Sequence, residues 1–139
     1  MPTSRDFEGV VLGLDVGDAR IGVARAHTIA KLPEALSVID NNDNAIHHIQ
    51  QLSEAHEAVL FVIGLPLLAS GHDSDQTRKV REFAEILHAQ TRIPYVFVDE
   101  SFSSKQADDI IREEKQTLRS NDAFAACIIV ERYFTEGAL

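Results

Sequence analysis

Val10-Val11-Leu12-Gly13-Leu14-Asp15-Val16-Gly17 is an apolar run that leads into a single carboxylate. A continuous run of this length, rich in β-branched residues, predicts a strand buried on both faces of a sheet. Asp15 then lies where the strand ends, and ligands of α/β proteins bind at such strand ends. Because an isolated buried carboxylate is costly, we expect a cationic group to meet Asp15. This strand end is therefore the first candidate for a reaction site.

The composition indicates one globular domain, which we expect to span residues 1–139 with residues 1–8 as a polar N-terminal tail. Of the 139 residues, 45% are hydrophobic, and no apolar run approaches the roughly 20 residues that span a bilayer. The N-terminus lacks the layout of a secretory signal. The single cysteine, Cys127, excludes an intrachain disulfide. We therefore expect a cytoplasmic protein with no membrane partner.

Apolar runs, turn residues and amphipathic stretches predict the element order β-β-β-α-β-α-β-α-α. The predicted strands are the opening run and residues 20–24, 33–39, 58–64 and 95–98. The predicted helices begin near residue 45, at Ser74 or Asp75, at Ser103, and at Asn121, the last of them extending to Phe134. A hairpin that leads into β-α-β units implies an α/β fold, with a mixed sheet and helices on its faces.

Three carboxylates lie where this layout brings distant parts of the chain together. Asp15 and Glu100 each end a buried strand, and Asp122 lies in the first turn of the last helix. The positions four, seven and eleven residues after Asp122 are mostly apolar, so Asp122 belongs to the helix face that turns toward the sheet. Two of these acids also have an ordinary role open to them, Asp15 as a turn residue and Asp122 as an acid that stabilises a helix start, and Glu100 alone after a strand is weakly informative.

A shared site for these three carboxylates would require a metal ion. Ionised carboxylates in close contact repel one another, and a divalent cation relieves that repulsion. Ligands that are all oxygen favour Mg²⁺ or Mn²⁺ over zinc. Such ions on a carboxylate cluster commonly serve phosphodiester hydrolysis. Asp15, Glu100 and Asp122 are therefore predicted to be both the metal ligands and the catalytic residues.

Several motifs together resemble the YqgF family, whose members are described as Holliday junction resolvases or pre-16S rRNA nucleases. The opening motif is Gly13-Leu14-Asp15-Val16-Gly17 followed by Arg20-Ile21-Gly22-Val23-Ala24. The later motifs, in the family's order, are Ile63-Gly64-Leu65-Pro66-Leu67, Asp99-Glu100 and Asp122-Ala123-Phe124-Ala125-Ala126. The match covers nearly the whole chain, and the combination is specific although each piece alone is not.

The resemblance implies a three-layer RNase H-like fold and a metal-dependent endonuclease whose acids correspond to Asp15, Glu100 and Asp122. It implies maturation of the 5′ end of pre-16S rRNA in the cytoplasm, so structured RNA is the expected partner. Branched DNA, as in a Holliday junction, is the alternative substrate. Resolving a symmetric junction would require a homodimer, because two strands are cut, and the sequence leaves monomer and homodimer open.

The chain departs from the family pattern mainly where that pattern carries positive charge. Asp18-Ala19 stands where the family usually has Thr-Lys, and Ser101 stands where it usually has Arg. Ser103 and Ser104 replace two threonines, and residues 113–119 form a shorter, less basic segment before the last acid. The predicted metal ligands are intact, so these departures affect the expected contacts with nucleic acid and not the metal site.

Phosphate contacts are predicted for Arg20, Arg78, Arg81, Ser103 and Ser104, although exposed basic side chains are commonly only solvated. The formal net charge of -9 argues against tight nonspecific binding to nucleic acid, because neutralising phosphates requires Lys and Arg. An RNase H-like binding protein that docks to ribosomal or transcription partners without catalysis therefore stays open.

An ATPase is a third class that the sequence leaves open. The turn Asp15-Val16-Gly17 resembles the first phosphate motif of actin-like and sugar-kinase ATPases, which need two such domains to close over a nucleotide. This chain has room for one such domain, which disfavours the ATPase interpretation.

Overall fold

A five-stranded mixed sheet forms the centre of the molecule in the computed structural model, which describes residues 8–100 and 121–139, with side chains in the second range from residue 123 onward. The strands are β1 (Val10–Val16), β2 (Arg20–His27), β3 (Glu34–Asp40), β4 (Ala58–Leu65) and β5 (Tyr95–Asp99). Their order across the sheet is β3-β2-β1-β4-β5. The first three strands are antiparallel neighbours, while β1, β4 and β5 run parallel to one another. The predicted mixed sheet is confirmed.

Helices cover both faces of this sheet and create two cores. The described helices are α1 (Ala45–Ala55), α2 (Asp75–Thr91) and α3 (Asn121–Glu136). On one face, buried strand residues pack against α1 and α2, among them Leu12, Leu14, Phe61, Ile63, Ile49, Val80 and Leu87. On the other face, buried strand residues pack against α3, among them Val11, Leu60, Val62, Ala126, Ile129 and Val130. Because alternate residues of β1 and β4 enter opposite cores, the continuous apolar runs are explained by burial on both sides.

The approach of α3 to β1 is close because glycine and alanine line the contact. An added Cβ at Gly13 would lie 2.2 Å from Val130 Cγ2 and 2.9 Å from the carbonyl oxygen of Ala126. Ala125 and Ala126 are themselves buried. A strand glycine with this environment marks a close backbone approach, so Gly13 sets the distance between the helix and the central strand.

One strand end differs from the prediction, and the structure selects one of two predicted helix caps. β2 extends to His27, beyond the predicted end at residue 24, since Arg25 and His27 continue the ladder with β1. Because Arg25 and His27 are polar, the apolar run that predicts the strand ends before them. Ser74 is the N-cap of α2, in a capping box with Thr77, as one of the two predicted caps. The helix predicted to start at Ser103 lies outside the described residues.

None of the helices in the described ranges combines the length and the apolar composition needed to cross a membrane.

Candidate active site

Asp15 lies near the carboxyl end of β1, on the sheet face that α3 covers. Gly13, two residues earlier, contacts α3, and alternate residues of a strand share a face. Directly opposite Asp15 on β2 is Gly22, which has no side chain on the shared face. The carboxylate of Asp15 therefore has no β2 side chain directly opposite it on this face of the sheet.

Glu100 follows β5 and lies at the same edge of the sheet. Because β1 and β5 both run parallel to β4, their carboxyl ends emerge together. The backbone N–H of Glu100 donates to the carbonyl oxygen of Leu65 at 3.2 Å. Its carboxyl lies over Gly64 of β4, where an added Cβ would be 2.9 Å from Glu100 Cδ. Glu100 thus reaches over the intervening strand toward Asp15.

The carboxyl groups of Glu100 and Asp15 are in direct contact. Burial, the hydrogen bond to Asp15 and the negative charges of Asp15 and Asp99 together raise the pKa of Glu100 from 4.5 to about 10, and burial is the largest of these causes. At neutral pH and without metal, Glu100 is therefore protonated and donates a hydrogen bond to the carboxylate of Asp15. Two carboxyl groups that share one proton still carry a net negative charge, which a bound cation would neutralise.

Asp122, the third predicted acid, is the second residue of α3, and its side chain lies outside the described residues. Within the described part of the chain, no group of three His, Cys, Asp or Glu side chains is arranged to hold a metal. The structure therefore brings Asp15 and Glu100 together, and the convergence of all three acids stays a prediction.

The chemistry of the pair fits a hard divalent cation. Asp15 and Glu100 offer only carboxylate oxygens, which Mg²⁺ and Mn²⁺ accept. Mg²⁺ in particular is held by one or two carboxylates and keeps several waters. A cation between the two groups would supply the positive charge that the shared proton now supplies, so metal binding and proton release are coupled here.

Gly64 is a site residue whose role the sequence analysis missed. A glycine inside an otherwise apolar buried strand indicates that another group approaches its backbone closely, and this was the available signal. Besides Glu100, the added Cβ would lie 2.5 Å from Ile129 Cδ1. Glycine at this position therefore makes room for the carboxyl group of Glu100.

Gly64→Ala is expected to weaken Mn²⁺ binding by about 10- to 100-fold, because disturbing a group that orients a metal ligand has effects of that size. The new methyl group pushes the Glu100 carboxyl and the Ile129 side chain aside. Calorimetric titration of the folded variant with Mn²⁺ measures the loss.

Ile129→Val in the Gly64→Ala background is the matched control. It removes the Cδ1 atom that clashes with the methyl group and leaves the clash with Glu100. We expect thermal stability to recover while Mn²⁺ affinity stays low. Recovery of both together would contradict the proposed link between Gly64 and the Glu100 carboxyl.

The two arginines of α2 that were predicted to contact phosphate are paired with acids. Arg81 Nε donates to Asp73 Oδ2 at 2.9 Å, and its guanidinium lies 5.6 Å from the centroid of the Phe97 ring. Arg78 forms an ion pair with Asp75 one turn away. Contact of either arginine with a phosphate would require an exchange of partner.

The other residues predicted to contact phosphate are Arg20, Ser103 and Ser104. Arg20 is exposed at the start of β2, and Ser103 and Ser104 lie outside the described residues. Beside Arg20, in the β1–β2 turn, Asp18 Oδ1 lies 3.5 Å from Nζ of Lys79. Acidic side chains thus accompany the basic ones around this part of the surface, in keeping with the net charge of the chain.

Comparison with known proteins shows the family of this chain. The family model described as "RuvX: Holliday junction resolvase" matches residues 9–136. A protein of Ralstonia nicotianae named "Putative pre-16S rRNA nuclease" is 33% identical over 137 residues, covering 97% of this chain and 92% of the relative. A Synechococcus protein of the same name is 34% identical over 131 residues, covering 90% of this chain and 77% of the relative.

Solved structures share the fold at low sequence identity. Thermus thermophilus RuvC in complex with a Holliday junction substrate matches with a TM-score of 0.62 and 13% identity, covering 93% of this chain and 98% of that one. Fowlpox virus resolvase matches with a TM-score of 0.59 and 8% identity, covering 90% and 96%. The predicted RNase H-like fold is thereby confirmed. With a family model that matches almost its whole length and relatives more than 30% identical, the chain belongs to the RuvX family, also called YqgF.

Proposed function

We propose that this chain is a divalent-metal-dependent endonuclease that hydrolyses phosphodiester bonds in structured RNA and processes the 5′ end of pre-16S rRNA in the cytoplasm. The observation that carries the proposal is the contact between Asp15 and Glu100 at the carboxyl edge of the parallel strands. Two carboxyl groups in contact repel each other when both are ionised, unless a cation lies between them. An edge of this kind is also where α/β folds bind their substrates.

In the proposed mechanism, Asp15, Glu100 and Asp122 would hold Mg²⁺ or Mn²⁺. The chemistry supplied by such an ion would be activation of water for attack on phosphorus and stabilisation of the charge on the departing oxygen. Glu100 would give up its proton to serve as a ligand, and the rigid central strand holds Asp15 in place. The close packing of α3 on β1 at Gly13 fixes the separation of the elements that carry Asp15 and Asp122.

The relatives that bear the name pre-16S rRNA nuclease support RNA as the substrate. Arg20, Arg78, Arg81, Ser103 and Ser104 are the proposed contacts to phosphate. Since Arg78 and Arg81 are ion-paired in the unbound protein, RNA phosphates would compete with Asp75 and Asp73 for them. We therefore expect RNA affinity to depend steeply on salt concentration.

Branched DNA is the second candidate substrate, because the matching family model is described as a Holliday junction resolvase. This activity would require two copies of the chain on one junction. The pairing of α2 arginines with acids supports a third possibility, a non-catalytic binding protein. Cleavage measurements distinguish all three.

The test is cleavage of a pre-16S rRNA fragment and of a four-way DNA junction with Mg²⁺, with Mn²⁺ and with excess chelator. We expect cleavage of the RNA by the wild-type protein, none with chelator, and none by Asp15→Asn. Glu54→Gln, which changes an exposed acid in the last turn of α1, is the control and should cleave normally. Cleavage of the junction alone would favour the resolvase. Metal-independent binding without cleavage of either substrate would reject the nuclease.

A further inference from the structure

We propose that Arg132 is a positioning residue for Glu100, acting through the peptide group that joins Asp99 to Glu100. The inference deepens the proposed function and rests on it. Arg132 lies on α3, ten positions after Asp122, and no sequence motif marks it.

The peptide group between Asp99 and Glu100 is held from both sides. Its N–H, from Glu100, donates to the Leu65 carbonyl oxygen on β4 at 3.2 Å. In a trans peptide the C=O points the opposite way, so the Asp99 carbonyl faces away from β4. There it accepts a hydrogen bond from Arg132 Nη1 at 2.6 Å. A charged donor at this distance makes a strong hydrogen bond, and it is shorter than the bond to Leu65.

The Arg132 side chain is mostly buried where it makes this contact. Only 15% of it is exposed, whereas its second partner, Glu136, is 67% exposed, with Arg132 Nε 3.2 Å from Glu136 Oε2. A desolvated guanidinium bound to a carbonyl oxygen is a far more constrained arrangement than a surface ion pair. The ion pair with the exposed Glu136 contributes little, so the bond to the Asp99 carbonyl determines where the guanidinium points.

The neighbouring carbonyl on the same side of β5 is also occupied. Phe97 C=O accepts a hydrogen bond from the Leu139 backbone N–H at 2.8 Å. In the described sheet, β5 is the last strand on this side, so α3 and the residues after it replace a neighbouring strand. Arg132 is the contact in this series nearest the active site, because it holds the peptide group from which Glu100 extends.

The consequence is that α3 fixes Glu100 relative to Asp15 independently of the ladder with β4. Without Arg132, the peptide group between Asp99 and Glu100 keeps the longer bond to Leu65 and loses its bond to α3. Groups that orient a metal ligand without touching the metal typically affect metal affinity or activity by about 10- to 100-fold when they are removed. Arg132 would have an effect of this kind.

The test compares Arg132→Met, Arg132→Lys and Glu136→Gln with the wild-type protein. Mn²⁺ affinity is measured by calorimetry, and kcat and KM are measured on the RNA fragment. We expect Arg132→Met to weaken Mn²⁺ binding and lower kcat, each by about 10-fold, with KM changed by less than about 2-fold. Arg132→Lys, which keeps a charged donor, should recover part of both losses. Glu136→Gln leaves the bond to Asp99 and should match the wild-type values.

The outcomes separate this inference from the function on which it rests. An inactive wild-type protein that binds no Mn²⁺ would overturn the proposed function and this inference with it. With an active wild-type protein, three results would overturn the positioning role alone. They are a lower melting temperature with unchanged kcat and Mn²⁺ affinity, a raised KM with unchanged kcat, which would indicate direct contact with phosphate, and losses in Glu136→Gln equal to those in Arg132→Met.

Discussion

Glu100→Gln is expected to abolish cleavage and at the same time to stabilise the metal-free protein. Cleavage should fall by about 10³-fold, which corresponds to about 4 kcal/mol of transition-state stabilisation, because an amide is a poor substitute for a charged metal ligand. The stability effect has the opposite sign because the native state holds Glu100 with a pKa raised from 4.5 to about 10 by burial and by its contact with Asp15.

The sign of the pH dependence follows from that shift. A group whose pKa is higher in the folded state stabilises the fold fully below its unfolded pKa, and that contribution is lost as the pH rises. For metal-free wild-type protein, the loss begins near pH 4.5 and continues toward pH 10. Glutamine has no proton to lose, so the advantage of Glu100→Gln grows across this window. At pH 8 we therefore expect Glu100→Gln to melt several degrees above the wild-type protein, with a smaller difference at pH 5.

Thermal unfolding in chelator at pH 5 and pH 8 measures the effect. Glu85→Gln, which changes an exposed glutamate on α2, is the control and should show no pH-dependent gain. Adding Mg²⁺ should stabilise the wild-type protein more than Glu100→Gln, because the ligand set is intact only in the former. A melting temperature for Glu100→Gln equal to or below that of the wild type at pH 8 would contradict the proton-sharing pair.

Gly13→Ala is expected to lower the free energy of unfolding by about 3 kcal/mol and the melting temperature by about 12 °C, the upper part of the usual range for overpacking a core. The added methyl group would lie 2.2 Å from Val130 Cγ2 and 2.9 Å from the Ala126 carbonyl oxygen. The second contact is with helix backbone, so side-chain rotation cannot relieve it and α3 must move away from β1.

The double variant Gly13→Ala with Val130→Ala tests the cause. Truncating Val130 alone removes buried apolar contacts and should destabilise the protein. In the double variant it also removes the nearest clashing atom, so the loss of stability should be smaller than the sum of the two single losses. Urea unfolding of the four proteins gives the coupling free energy. Additive losses would show that Gly13 does not limit the approach of α3.

Much of the fold was predictable because buried positions carry apolar residues as continuous runs or at regular spacings in the sequence. The continuous apolar runs of β1 and β4 indicated strands covered on both faces, and the three- and four-residue spacing of Val80, Phe83 and Leu87 indicated α2. The contact between Asp15 and Glu100 was predictable for a topological reason. Both acids follow strands expected to be parallel, and parallel strands end at one edge of the sheet.

Other features left no such trace. The extension of β2 through Arg25 and His27 depends on backbone pairing with β1, and polar side chains conceal backbone pairing. The ion pair of Arg81 with Asp73 and the bond from Arg132 to the Asp99 carbonyl join residues whose separation follows neither helical nor strand spacing. Contacts of this kind follow from how elements dock, and a single sequence does not encode them as a pattern.

The central claim is that Asp15 and Glu100 together hold a divalent cation in place of a shared proton. Its most direct test is calorimetric titration of the metal-free protein with Mn²⁺ at pH 7, repeated in buffers of different ionisation enthalpy. The claim predicts saturable binding that releases about one proton per ion at the Glu100 carboxyl, and loss of that binding in Asp15→Asn. Binding without proton release, or binding that Asp15→Asn leaves unchanged, would contradict it.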